Sequence, residues 1–295
     1  MSTPRFLDLP PGVAPQKIET PLGTFAALEA LPVNGVVERW PALLVPGLTG
    51  SKEDFIAVLM TLAQSGRRVV AVDLRGQYET PGPDDPSAYT CAALGADVDT
   101  LAQIVGGGEA VHLVGHSFGG LVAREAVIDG RTKFASFTLM SSGPGAIEGL
   151  RAHNGRKILE EVPELGLEHV WQTRFEPAAL ADDVTPEIRQ FLHRRLLSNS
   201  PTALIHMAEQ ALTMRDRTDE LAEIELPTLV LYGEHDDGWP PESQSEMAAR
   251  LGAESVVVPG AVHSPAVEAP ETTATALVRF WNTAETHHRE TRSLG

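Results

Sequence analysis

Val111-His112-Leu113-Val114-Gly115-His116-Ser117-Phe118-Gly119-Gly120 is the stretch whose reading decides the fold. An apolar run from Val111 to Val114 leads directly into a G-x-S-x-G sequence, and helical character follows from Gly119 to Ile128. A strand–turn–helix of this kind holds a serine on a strained backbone with its hydroxyl clear of the sheet. The flanking glycines fit on steric grounds, because a β-carbon at either one would crowd the neighbouring strand or helix. The plainer alternative is a glycine-rich turn whose serine only caps a helix. The rest of the chain must therefore supply the partners that a nucleophilic serine needs.

Outward from this stretch, short apolar runs alternate with amphipathic ones. Residues 42–45, 68–72, 110–114, 134–140, 227–232 and 255–258 read as buried strands, and an early pair, near Ile18 and at 24–30, reads as a hairpin. Residues 52–65 have helical spacing, with Phe55, Val58, Leu59 and Leu62 on one face, and helices are predicted at 90–104, 243–251 and 270–283. The alternation predicts a mostly parallel α/β sheet covered on both faces. It lapses from residue 145 to 226, where the pattern is helical throughout, so this segment reads as an insertion into one sheet domain made of residues 1–144 and 227–295. The polar end, 286–295, reads as a frayed tail.

Composition narrows the function classes. The 40 acidic against 23 basic residues give a net charge of -17, a field that repels nucleic acid and anionic membrane. Cys91 is the only cysteine, so no internal disulfide forms. No apolar run approaches the roughly 18 residues of a membrane span. The first residues do not show a secretory pattern. A cytoplasmic protein acting on a small molecule is the expectation; the oligomeric state is left open.

Ser117 needs a base. His263 lies in a loop just after the last strand, at the carboxyl ends of the strands where catalytic groups of a parallel sheet gather. His116 is adjacent to the serine and cannot fold back onto it, His112 projects from within a strand, and His287 and His288 lie in the tail. The imidazole needs an acid to fix its tautomer. Glu234, Asp236 and Asp237 all follow the strand at 227–232, in the chain order Ser–Asp–His. His235 beside two aspartates suggests a metal, but no second ligand pair with familiar spacing supports one, and no cofactor is required. For a developing oxyanion the donors are the backbone N–H groups of Phe118, after the nucleophile, and Leu48, in Gly47-Leu48-Thr49-Gly50. Activity is expected to rise through one step at about pH 6–7, where His263 becomes neutral.

Taken together, Pro46-Gly47-Leu48-Thr49-Gly50-Ser51, Asp73-Leu74-Arg75-Gly76, Gly115 to Gly120, Gly233-Glu234-His235-Asp236 with Pro240, and Gly260 to Pro265 resemble the α/β-hydrolase fold superfamily from about residue 16 to 285. The resemblance implies an eight-stranded, mostly parallel sheet flanked by helices, with a helical cap after the sixth strand. It assigns the acid to Asp236, four residues before Pro240. It also implies a serine esterase or lactonase acting through an acyl-enzyme. Departures are Pro46 where relatives often have His, and Gln77-Tyr78-Glu79-Thr80-Pro81-Gly82 in place of a short Gly/Ser turn. Ser rather than Asp at 117 argues against dehalogenase or epoxide hydrolase chemistry. Trp171, Phe175, Met207 and Met214 in the insertion are the candidate substrate contacts, under a lid over Ser117. The rivals on the same fold are a ligand-binding or receptor-like protein, an acyltransferase and a non-hydrolytic cyclase.

Overall fold

The computed structural model describes residues 1–293, with side chains through His288. A hairpin of β1 (Val13–Thr20) and β2 (Gly23–Ala30) opens the chain. It is followed by β3 (Ala42–Val45), α1 (Ile56–Ala63), β4 (Val69–Val72), α2 (Cys91–Gly106), β5 (Val111–His116), α3 (Phe118–Asp129) and β6 (Phe134–Met140). Next come α4 (Gly149–Val170), a π-helical turn at Trp171–Phe175, α5 (Glu176–Ala179), α6 (Pro186–Leu197), α7 (Pro201–Thr213) and α8 (Thr218–Ala222). The sheet then resumes with β7 (Thr228–Gly233), α9 (Pro241–Leu251), β8 (Glu254–Val258), α10 (Pro265–Glu268) and α11 (Pro270–Ser293).

The eight strands lie in the order β1-β2-β4-β3-β5-β6-β7-β8. The hairpin adds to β4 antiparallel, and every pairing from β4 onward is parallel. Strands β3 to β6 are buried along their whole length, as parallel strands sheltered on both faces must be. Alternation sorts their side chains: Leu43, Val45 and Leu113 face the layer of α2 and α3, while Ala42, Leu44 and Val114 face α1 and α11. Near the end of the sheet β8 loses cover, and Ser255 and Val257 are exposed.

The helices between β6 and β7 form a cap with an apolar cluster of its own, including Ile158, Trp171, Phe191 and Leu204. Its first helix bends where Gly166 takes φ 79° three residues after Pro163. Among the described residues no helix is long and apolar enough to cross a membrane.

The polar tail behaves differently from the expectation. Helix α11 runs on to Ser293 instead of ending near 283, and its far half is anchored by buried charge. Glu285 accepts from Arg67 Nη2 at 2.8 Å and lies 3.2 Å from both Arg39 Nη1 and His112 Nε2. The His112 ring stacks on Trp281, and His288 reaches the Ala135 carbonyl at 3.1 Å. Polar composition concealed a helix whose Glu285 points inward. Only residues 294–295 of the expected tail lie outside the described residues.

Arg67 and His112 are fully buried, so removing their carboxylate strands a buried cation. Glu285→Ala is expected to destabilise the fold by about 3–5 kcal/mol, read by urea unfolding. A loss below about 1 kcal/mol, the scale of an exposed pair, would contradict this account.

Candidate active site

Between β5 and α3 the backbone turns at Ser117 with φ 54° and ψ -123°, a conformation that costs a non-glycine residue about 1–3 kcal/mol. The turn closes because three neighbours lack a β-carbon. At Gly115 it would strike the backbone of Gly119 and Gly120, at Gly119 the carbonyls of Val45 and Pro46, and at Gly120 the side chain of Ser142. The turn is held by the Ser117 N–H, which donates to the Met140 carbonyl at 2.9 Å.

The loops after β7 and β8 bring the partners expected from the sequence. His263 Nε2 lies 2.8 Å from Ser117 Oγ, and His263 Nδ1 lies 2.8 Å from Asp236 Oδ1. Asp236 is fixed in turn: Oδ1 accepts from the Gly238 N–H at 2.8 Å and Oδ2 from Gln244 Nε2 at 3.1 Å. Asp237 points outward and pairs with Arg151 of α4, and Glu234 accepts from the Gly260 N–H. Of the three carboxylates, Asp236 is the one hydrogen-bonded to His263.

Three supporting residues escaped the sequence reading. His116 cannot reach Ser117 but lies 2.7 Å from the His263 carbonyl through Nε2, tying the end of β5 to the histidine loop. Gln244 is fully buried between Asp236 and the Trp239 carbonyl. Trp239 stacks on His263 at 6.3 Å between ring centroids and bonds the Gly145 and Ala146 carbonyls, where the chain enters the cap. Each role depends on long-range packing; Gln244, one helical turn past Pro240, carried the nearest thing to a local signal.

Burial sets the protonation states. It pushes the His263 imidazole down to about 4, with Arg151 acting in the same sense against the Asp236 hydrogen bond. Burial works to raise Asp236, but the His263 hydrogen bond and charge and the Gly238 N–H hold its carboxyl at about 2. The pair rests as carboxylate and neutral imidazole, the state in which His263 can accept a proton.

A small cavity of about 80 Å³ opens beside Ser117 and His263. Leu48, Ile147, Ile158 and Phe175 give it apolar walls; Asp54, Arg151 and Asn154 give it polar ones. Gly47 approaches so closely that a β-carbon there would lie 2.9 Å from Ser117 Cβ, which places the loop after β3 against the nucleophile. The Leu48 amide is on that loop, and the Phe118 amide is at the first, unpaired turn of α3. The unusual stretch after Arg75-Gly76 braces the same loop, since Gln77 Nε2 donates to the Gly47 carbonyl at 3.1 Å. Lys52 holds the stretch from the other side, 2.9 Å from Asp73 and 2.7 Å from Glu79.

Of the four cap residues expected at the cavity, the structure brings only Phe175 there. Trp171 packs inside the cap, 5.0 Å from the His193 ring, and Met207 faces the sheet core from α7. Met214 ends that helix, half-buried against the same core. Met207 and Met214 pack between cap and sheet, and Trp171 packs within the cap. Asp236, Asp237 and His263 do bring ligand atoms within 4.8 Å of one another. Both oxygens of Asp236 and the Asp237 carboxylate already have protein partners, which a cation would have to displace.

Residues 42–276 match the model of the alpha/beta hydrolase family. The chain belongs to this family. It is 25% identical to Lipase 1 of Psychrobacter immobilis, over 82% of this chain and 76% of that one. It is 24% identical to a proline iminopeptidase of Lactobacillus delbrueckii subsp. lactis, over 80% of this chain and 88% of that one. A 33% identical match to another relative is shorter and spans only 41% of that protein. A thermophilic esterase from Thermogutta terrifontis superposes with a TM-score of 0.71 at 26% identity, covering 92% of this chain and 99% of the esterase.

Because the base must be neutral to act, activity requires a pH above the His263 value. The downward shift moves the acid limb below the ordinary imidazole range of about 6–7. Turnover measured under chemistry-limited conditions is expected to stay near its plateau at pH 6 and to fall only in more acid buffer. A midpoint at or above about 6.5 would show that His263 does not work from its buried state.

Proposed function

We propose that the chain is a serine hydrolase of carboxylic esters or lactones whose acyl or alcohol part is hydrophobic. One observation carries this reading: an unbroken hydrogen-bonded line from Asp236 through His263 to Ser117 ends in a cavity partly walled by Leu48, Ile147, Ile158 and Phe175. Ser117 Oγ attacks the substrate carbonyl as His263 Nε2 takes the hydroxyl proton. The Leu48 and Phe118 N–H groups receive the oxyanion. The imidazolium returns its proton to the departing alkoxide, leaving Ser117 acylated. Water then attacks the acyl carbon, again losing a proton to His263, and the carboxylic acid leaves as Ser117 is regenerated.

Phe175 is the residue of the cap assigned to the hydrophobic part of the substrate, with residues 145–226 acting as the cap. The esterase and lipase relatives support ester chemistry over the amide chemistry named for the iminopeptidase. The lone Cys91, buried in the core, accords with a cytoplasmic setting.

Ser117→Ala is expected to lower ester turnover by roughly 10⁴–10⁶-fold with the fold intact. Retention of a tenth of the wild-type rate would sink the assignment. Asp236→Asn is expected to cost on the order of 10⁴, against less than about tenfold for Asp237→Asn, whose carboxylate faces Arg151. A reversed order would move the acid to Asp237. In a series of esters of increasing chain length, Phe175→Ala is expected to reduce the preference for bulky substrates. Trp171→Ala should lower stability and leave the preference alone, and equal shifts in preference would return Trp171 to the substrate site.

A further inference from the structure

The cavity at Ser117 is small for the substrates its walls favour, about 80 Å³ against the roughly 300–1,000 Å³ of a site that encloses a drug-sized ligand. A much larger cleft of about 570 Å³ lies next to it, between cap and sheet domain. It is lined by Ala178, Ala181, Val184 and Ile188 with Asp183 on the cap side, and by Val267 with Ser264 and Glu268 on the other. Met1, Ser2 and Arg151 line both spaces, so the partition between them consists of the first residues of the chain and one arginine.

We propose that the segment from Ser2 to Arg5 is a removable wall that determines which esters reach Ser117. With the segment in place the site takes small esters; with it displaced, the two spaces join and a long hydrophobic group runs into the outer cleft. This rests on the hydrolase reading above and names its substrate class more closely: esters with one short side and one chain long enough to leave the inner cavity.

How the segment is held supports a part that moves. Among the described residues, Met1 to Arg5 make no backbone–backbone hydrogen bond. Three polar contacts secure the segment, and Met1 packs against the apolar cluster of the cap. Ser2 Oγ lies 2.8 Å from Ser264 Oγ, beside the catalytic histidine. The Ser2 carbonyl accepts from Arg195 Nη2 at 2.6 Å, and Arg5 Nη2 donates to the Glu268 carbonyl at 2.6 Å. Such a segment can leave without breaking any secondary structure. The groups it leaves keep partners of their own: Arg195 of α6 is paired with Asp54 at 2.7 Å, and Asp54 accepts from the Ser51 N–H at the end of the loop that carries Leu48. Cap and loop therefore remain joined when the segment departs.

The test locks the wall and loosens it in the full chain. In Ser2→Cys/Ser264→Cys the two sulfurs would replace oxygens 2.8 Å apart, and oxidation would fix the segment in place. Ser2→Gly/Arg5→Ala removes two of the three contacts. The quantity read is the ratio of kcat/KM for an octanoate ester to that for the acetate ester of the same alcohol. Oxidation of the cysteine pair, with the crosslink verified by mass, is expected to lower the ratio at least tenfold, and dithiothreitol to restore it. The loosened variant is expected to raise it several-fold. An unchanged ratio in the crosslinked protein, or an equal loss for both esters, overturns the proposal. If the crosslink does not form, the loosened variant decides, and a ratio within twofold of the wild type overturns it. A wild-type chain that turns over neither ester would instead remove the hydrolase reading, a separate failure.

Discussion

The left-handed turn at Ser117 is the constraint on which the remaining structure depends. A side chain held at φ 54° between β5 and α3 stands clear of its own helix, but only if the backbones around it approach more closely than any β-carbon allows. That requirement accounts for Gly115, Gly119 and Gly120. It also explains why the loop after β3 passes directly over the nucleophile, with Gly47 at its point of nearest approach. Parallel strands put four loops at one sheet edge. The strained turn selects which of their groups meet: the Leu48 amide, His263 and Asp236.

Buried polar bonds then hold this edge rigid. Gln244 and the Gly238 amide fix Asp236, and His116 holds the backbone of the histidine loop. Gln77 braces the loop after β3, while Asp54 and Arg195 join that loop to the cap. In a setting of low dielectric each such bond is strengthened and each loss is costly. The reacting groups are therefore fixed by the sheet domain, whereas the space for the substrate is bounded by Phe175 of the cap and by a segment with no secondary structure. Chemistry and selectivity lie on parts of different stiffness.

Much of this was legible in the sequence. Fully buried parallel strands must be apolar throughout, so β3, β4, β5 and β6 announce themselves, and glycine and proline mark the turns that carry Ser117, Asp236 and His263. What could not be read depends on contacts across the chain. Polar residues at the end of α11 looked like a frayed tail because nothing local shows that Glu285 meets Arg67 and His112. Trp171, Met207 and Met214 have the composition of a pocket wall, but the sense in which each helix is rotated sends them into packing. The downward shift of His263 follows from burial that only the closed cap and loops create, and no motif flagged Ser2 beside it.

If Ser117 is an activated nucleophile in an accessible acyl-transfer site, it reacts with a serine-directed electrophile. The most direct measurement is intact-mass analysis after incubation with a serine-directed alkyl phosphonate fluoride. The account predicts one added phosphonyl group per chain, located on the peptide that contains Ser117, and none in Ser117→Ala. A wild-type chain that stays unmodified, or an adduct that persists in Ser117→Ala, would contradict it.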